Sequence, residues 1–82
     1  MRETIINGGQ NLSTILIDYT EKDGSNEGWR EVEPYSIKMK NGIEYFYGYD
    51  VNKGGIRGFI FDSINAVQLT NNSYEPRWSV EF

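Results

Sequence analysis

The chain has 82 residues, 8 of them basic and 12 acidic, for a net charge of −4, and it contains neither cysteine nor histidine. This length supports a single domain with a small core, since a chain of this size buries only about 60% of its unfolded surface. The missing residue types exclude disulfides, thiolate metal sites and imidazole as general base, zinc ligand or neutral-pH switch. The acidic balance excludes a protein that coats phosphate with its whole surface, so any nucleic-acid contact must come from a local patch.

Aromatic residues make up 15% of the chain, with six Tyr and four Phe, a composition that favours strands because flat rings pack on a pleated surface. No apolar run is long enough for a signal peptide or a membrane span. A cytoplasmic protein is therefore expected, and the sequons at Asn11 and Asn71 read as chance.

The first element is a short helical turn over residues 2–9, expected to end at Gly8 and Gly9. From Leu12 the period changes to two. Ile15, Ile17 and Tyr19 alternate with Thr14, Leu16 and Asp18, the pattern of a largely buried strand. Residues 20–28 form a polar loop with two glycines. A second strand runs from Trp29 to Lys40, and Pro34, which lacks a ladder donor, marks an edge, a bend or a bulge within it. Asn41-Gly42 is the strongest hairpin signal, because a type I′ turn needs positive φ at both central residues.

The third strand covers Ile43 to Tyr49, with Tyr45, Tyr47 and Tyr49 on the face opposite Phe46. After a loop over Asp50–Gly55, a fourth strand spans Ile56 to Phe61 and puts Phe59 and Phe61 on one side. Asp62 is expected to cap a brief turn. A fifth strand runs from Asn65 to Thr70 with Val67 and Leu69 inward, followed by a turn at residues 71–73. Trp78, Val80 and Phe82 alternate in a final strand or extended arm; Tyr74, Trp78 and Phe82 are expected to cover the open end of the fold or, if exposed, to form an apolar patch suited to self-association or a protein partner. Short strands separated by turns indicate a small barrel or sandwich.

The basic and aromatic residues supply the candidate binding set. Lys38 and Lys40 share a strand face, Arg30 has the same parity, and Tyr45 and Tyr47 lie on the neighbouring strand. Cations beside aromatic rings suit single-stranded nucleic acid, in which each stacked base is worth about 1–3 kcal/mol. The simpler reading is that the lysines guard an edge and the tyrosines fill the core. Arg57 can grip a phosphate through two parallel bonds, or it can simply pair with a carboxylate such as Asp50. Glu31 and Glu33 share a face without partners to split their acidities, and read as a solvated strand face. Asp50 to Gly55 lacks the closing glutamate of a calcium loop. No catalytic set converges, and neither metal nor cofactor is expected.

Four segments resemble the WYL domain family. They are Val32-Glu33-Pro34-Tyr35, the run Asn41 to Asp50 (NGIEYFYGYD), the run Ile56 to Ile64 (IRGFIFDSI) and the run Tyr74 to Phe82 (YEPRWSVEF), in the family's order and spacing. The resemblance implies a mainly β fold: a small Sm-like, SH3-type barrel of about five strands with a short N-terminal helical turn. It also implies a non-catalytic, regulatory module that binds a nucleotide or single-stranded nucleic acid, of the kind found in transcription regulators and phage proteins. The departures are Glu44 and Phe46 within the name triplet, and Ile60 and Ser63 where the family carries arginines. Two lost arginines count against anionic-ligand binding. The alternative is a protein-interaction or self-associating module, phage-encoded, that binds a host protein.

Overall fold

The structure is a computed structural model and describes residues 1–82. The chain order is α1 (Arg2–Gln10), β1 (Ser13–Tyr19), β2 (Arg30–Lys40), β3 (Ile43–Asp50), β4 (Gly55–Ile60), a 3-10 turn (Phe61–Ser63) and β5 (Ile64–Ser73). The strands form one antiparallel sheet in the order β4-β3-β2-β1-β5. Since β4 and β5 are its two edges and do not pair, the expected barrel is an open one.

All five strands and the helix contribute to one core. Ile5 from α1 packs with Ile15, Ile17 and Tyr19 of β1, Val32 of β2, Phe46 of β3, Phe59 of β4, Phe61 of the 3-10 turn and Ile64 of β5. Tyr19 meets Phe59 edge-on at 5.0 Å, and its hydroxyl accepts the Ile60 N–H at 2.9 Å, tying β1 to β4 across the core. A nine-residue helix is marginal alone; burial of Ile5 against the sheet stabilises it here.

Several expectations need correction. Gly8 and Gly9 do not end α1 but lie inside it. They are there for space: a Cβ on Gly8 would meet Ile15 Cγ2 at 2.8 Å, and one on Gly9 would meet the Phe82 ring at 2.2 Å. Asp62 makes no capping hydrogen bond in the 3-10 turn. β5 continues through residues 71–73 instead of turning there. Leu69 pairs with Ile15 on the inner side, yet it is 50% exposed, because an edge strand has no outer neighbour to cover it. Of the two forms expected for the last residues, a final strand or an extended arm, the structure has the arm.

The Asn41-Gly42 hairpin is as expected, with φ of 53° and 77°. Pro34 sits at a β-bulge: the β2–β3 register is Pro34 opposite Gly48 and then Ser36 opposite Tyr47. The extra residue inverts the alternation of β2. Arg30, Val32 and Pro34 face inward before it, and Ser36, Lys38 and Lys40 face outward after it. Arg30 therefore does not share a face with Lys38 and Lys40; simple parity fails across the bulge.

Candidate groove on the outer sheet face

Register builds the outer face row by row. Glu33, Tyr49 and Ile56 are neighbours across β2, β3 and β4. The next row is Ser36, Tyr47 and Gly58, and the next Lys38, Tyr45 and Ile60. The tyrosines thus form a column down the sheet, with lysines on one side and β4 on the other. They do not fill the core, where Phe46 sits in their place; they are half-buried on the outer surface.

Gly58 lets the column lie flat. A Cβ at this position would come within 2.9 Å of the Tyr47 ring. A glycine inside a strand marks such a close approach. Tyr45 and Tyr47 stack with centroids 5.8 Å apart and planes 26° from parallel.

The C-terminal arm supplies a wall. Trp78 stacks on Tyr35 at 3.8 Å. Tyr35 is fully buried beneath it, and burial, together with its bond to Glu33, pushes its hydroxyl up to about 12. Tyr74 packs edge-on against Tyr35 at 5.6 Å and donates its hydroxyl to the Pro34 carbonyl at 2.5 Å. Burial raises its pKa as well. The arm also covers Glu33, which was expected to be solvated but is buried. Arg77 donates to both Glu33 oxygens, at 3.0 and 3.2 Å, and lies 3.8 Å over the Tyr49 ring. The hydrogen bonds it donates to Glu33 hold the Arg77 pKa above its ordinary value.

Between wall and sheet lies an open groove of about 430 Å³, lined by Ser36, Lys38, Met39, Lys40, Tyr47, Ile56 and Trp78. Small-molecule sites span about 300–1,000 Å³ and combine an apolar lining with a few polar groups, and this groove does so. Of the sequence candidates, Lys38, Lys40 and Tyr47 line it directly, and Tyr45 extends its aromatic floor. Lys38 Nζ already donates to Glu81 Oε1 at 2.6 Å. Ile56, Trp78 and Gly58 were not among the candidates. The glycine inside a strand was the available signal for Gly58, but nothing local placed Trp78 beside Tyr47.

Arg30 and Arg57 lie elsewhere, on the inner side at the end of the sheet. Arg30 is 3% exposed. Its Nε and Nη2 donate to Asp50 Oδ2 at 3.1 and 3.0 Å, and its Nη1 to Glu21 Oε2 at 2.9 Å. Burial opposes its charge, but the bonds it donates to Asp50 and Glu21 outweigh that and raise its pKa. Arg57 pairs with Glu21 at 2.5 Å, not with Asp50, whose Oδ2 Arg30 has taken. Both guanidinium groups lie over the Phe59 ring, at 5.2 and 5.3 Å. The hydrogen bond from Arg57, reinforced by Arg30, holds the Glu21 carboxyl below its usual 4.5. Asp50 Oδ1 accepts the N–H groups of Asn52 and Lys53 at 3.1 and 3.0 Å, which fixes the β3–β4 turn.

Six of the eight basic side chains (Arg2, Arg30, Lys38, Lys53, Arg57 and Arg77) are in ion pairs, leaving Lys22 and Lys40 without one. Lys40 is therefore the one lysine lining the groove that has no carboxylate partner.

No helix is long and apolar enough to cross a membrane. Among solved structures, proteasome accessory factor B/C (PafBC) of Arthrobacter aurescens is similar over 88% of this chain and 11% of its own, with a TM-score of 0.78 and 18% identity. The chain thus spans a small part of that protein, and the likeness concerns the fold. No curated protein sequence matches. The sequence pattern of the WYL domain matches residues 3–69. With most of its length matched and its strand order and helix in place, the chain belongs to the WYL domain family.

Proposed function

We propose that this WYL domain is a regulatory binding module that takes a nucleotide or a short stretch of single-stranded nucleic acid in the groove on the outer sheet face, and so modulates a protein partner. The observation that carries this reading is the Tyr45–Tyr47 stack facing the Trp78 wall beside Lys38 and Lys40. Flat rings gain from stacking, and phosphate gains from lysine. Residue by residue, Tyr47 and Trp78 receive the base, Tyr45 extends the platform, and Lys40 and Lys38 meet phosphate. Arg30 and Arg57 hold the end of the sheet and stay out of contact with the ligand.

A titration with short single-stranded DNA and RNA and with nucleoside monophosphates, at low and moderate salt, tests this. Binding is expected at low salt, weakening as salt rises, reduced by Lys40→Gln and preserved in Arg57→Ala. No binding at low salt overturns the reading. A loss in Arg57→Ala in a folded protein moves the site to the other face.

One observation favours a second reading. Ile56 and Met39 at the groove are 67% and 65% exposed, and six of eight cations are already paired, which suits an apolar anchor of a protein partner or a second copy. Light scattering separates the two readings: a monomer that binds nucleotide and retains no protein excludes the second.

A further inference from the structure

The C-terminal arm does more than wall the groove. It is pinned at both ends, by Trp78 on Tyr35 and by Phe82 packed against the core over Gly9. Between these anchors the Glu81 N–H donates to the Tyr35 carbonyl at 2.7 Å. That bond fixes the position of the Glu81 side chain, whose carboxylate lies on Lys38, one of the two lysines lining the groove. The pair is about half exposed on both sides, 53% and 51%, so it can open without unfolding anything.

We infer that the arm is a built-in competitor: Glu81 occupies the anion position of the groove and leaves Lys38 when ligand phosphate arrives. This rests on the nucleotide reading above and adds to it a ligand class and a control element. A carboxylate carries one negative charge, and an internal phosphodiester brings no more. Exchanging one for the other at Lys38 yields little. A terminal phosphate monoester carries about −1.5 to −2 at neutral pH and can engage Lys38 and unpaired Lys40 together. The structure thus points to a flat ring bearing a terminal phosphate. Any partner that lifts Glu81 from Lys38 while leaving Trp78 on Tyr35 would raise affinity at the groove.

The test uses the full chain carrying Trp29→Phe, so that Trp78 alone reports by fluorescence. The probe is adenosine 5′-monophosphate, with adenosine as the uncharged control. Removing an exposed ion pair frees a lysine at a gain of about two- to fivefold in affinity, which is the increase expected for Glu81→Gln with the monophosphate. The gain should vanish in Lys38→Gln/Glu81→Gln. It should be absent for adenosine, and absent in Glu75→Gln, which removes the same charge from an exposed position on the arm. Equal monophosphate affinity in the parent and Glu81→Gln proteins overturns the competitor and leaves the nucleotide reading standing. A gain that survives loss of Lys38 also overturns it. Absence of binding in every protein at low salt removes the nucleotide reading, and the competitor with it.

Discussion

Replacing Arg30 with methionine separates a structural cation from a ligand-binding one. The Arg30 and Asp50 side chains are 4% and 3% exposed. Asp50 Oδ2 has two donors, both from Arg30, while Oδ1 keeps the two backbone N–H groups of the turn. Methionine can keep the apolar contact with Phe59 but strands a carboxylate oxygen in a buried place. Breaking a buried pair in this way costs about 3–5 kcal/mol, a large share of the roughly 5–15 kcal/mol that stabilises a domain. At about 4–8 °C per kcal/mol for a chain of this size, the melting temperature should fall by at least about 12 °C. Arg30→Met/Asp50→Asn removes the stranded charge as well, and should lose less than the sum of the single changes. Urea unfolding followed by tryptophan fluorescence measures both. A loss under about 1 kcal/mol, or strict additivity in the double variant, would refute the argument and return Arg30 to the set of residues free to meet a ligand. Lys40→Gln is the counterpart, changing stability by no more than about 0.5 kcal/mol while weakening binding.

Other consequences follow from the same contacts. Gly58→Thr places a Cβ where the Tyr47 ring lies; the ring must swing off the sheet, and nucleotide affinity should drop severalfold with the fold retained. Unchanged affinity would show that the flat platform is not the binding surface. Gly9→Ala should dislodge Phe82 at a cost of about 1–3 kcal/mol, seen as a lower urea midpoint. Glu21 binds its proton less readily in the folded than in the unfolded chain, so its contribution is complete above about pH 4.5 and is lost as pH falls through the lower folded value. Glu21→Gln should flatten the acid limb of a stability–pH profile, and an unchanged limb would count against its pairing with Arg57 and Arg30. Tyr35 behaves in the opposite sense. Its neutral form is favoured by folding, so stability should decline as pH rises from 10 towards 12, and Tyr35→Phe should soften that alkaline decline.

What could be read along the chain was what depends on near neighbours. Alternation of Ile15, Ile17 and Tyr19 located β1, because side chains in a strand repeat every two residues whatever lies beyond. Asn41-Gly42 located the hairpin, because two positive φ angles are a demand of the turn itself. The order of the four motif segments pointed to the family that the pattern match then showed, and with it to a helix followed by five strands.

Tertiary structure decided everything that turned on register or on distant partners. The bulge at Pro34 reversed the facing of β2, so counting residues put Arg30 beside the lysines when it lies on the other side of the sheet. Glu21 claimed Arg57 from 36 residues away, and the terminal arm buried Glu33 and stacked Trp78 on Tyr35. The physical reason is common to all of these. A side chain's facing depends on a phase that accumulates along a strand and that one inserted residue inverts. Its partner is set by which segments the sheet brings together, and neither quantity is present in any short stretch of sequence.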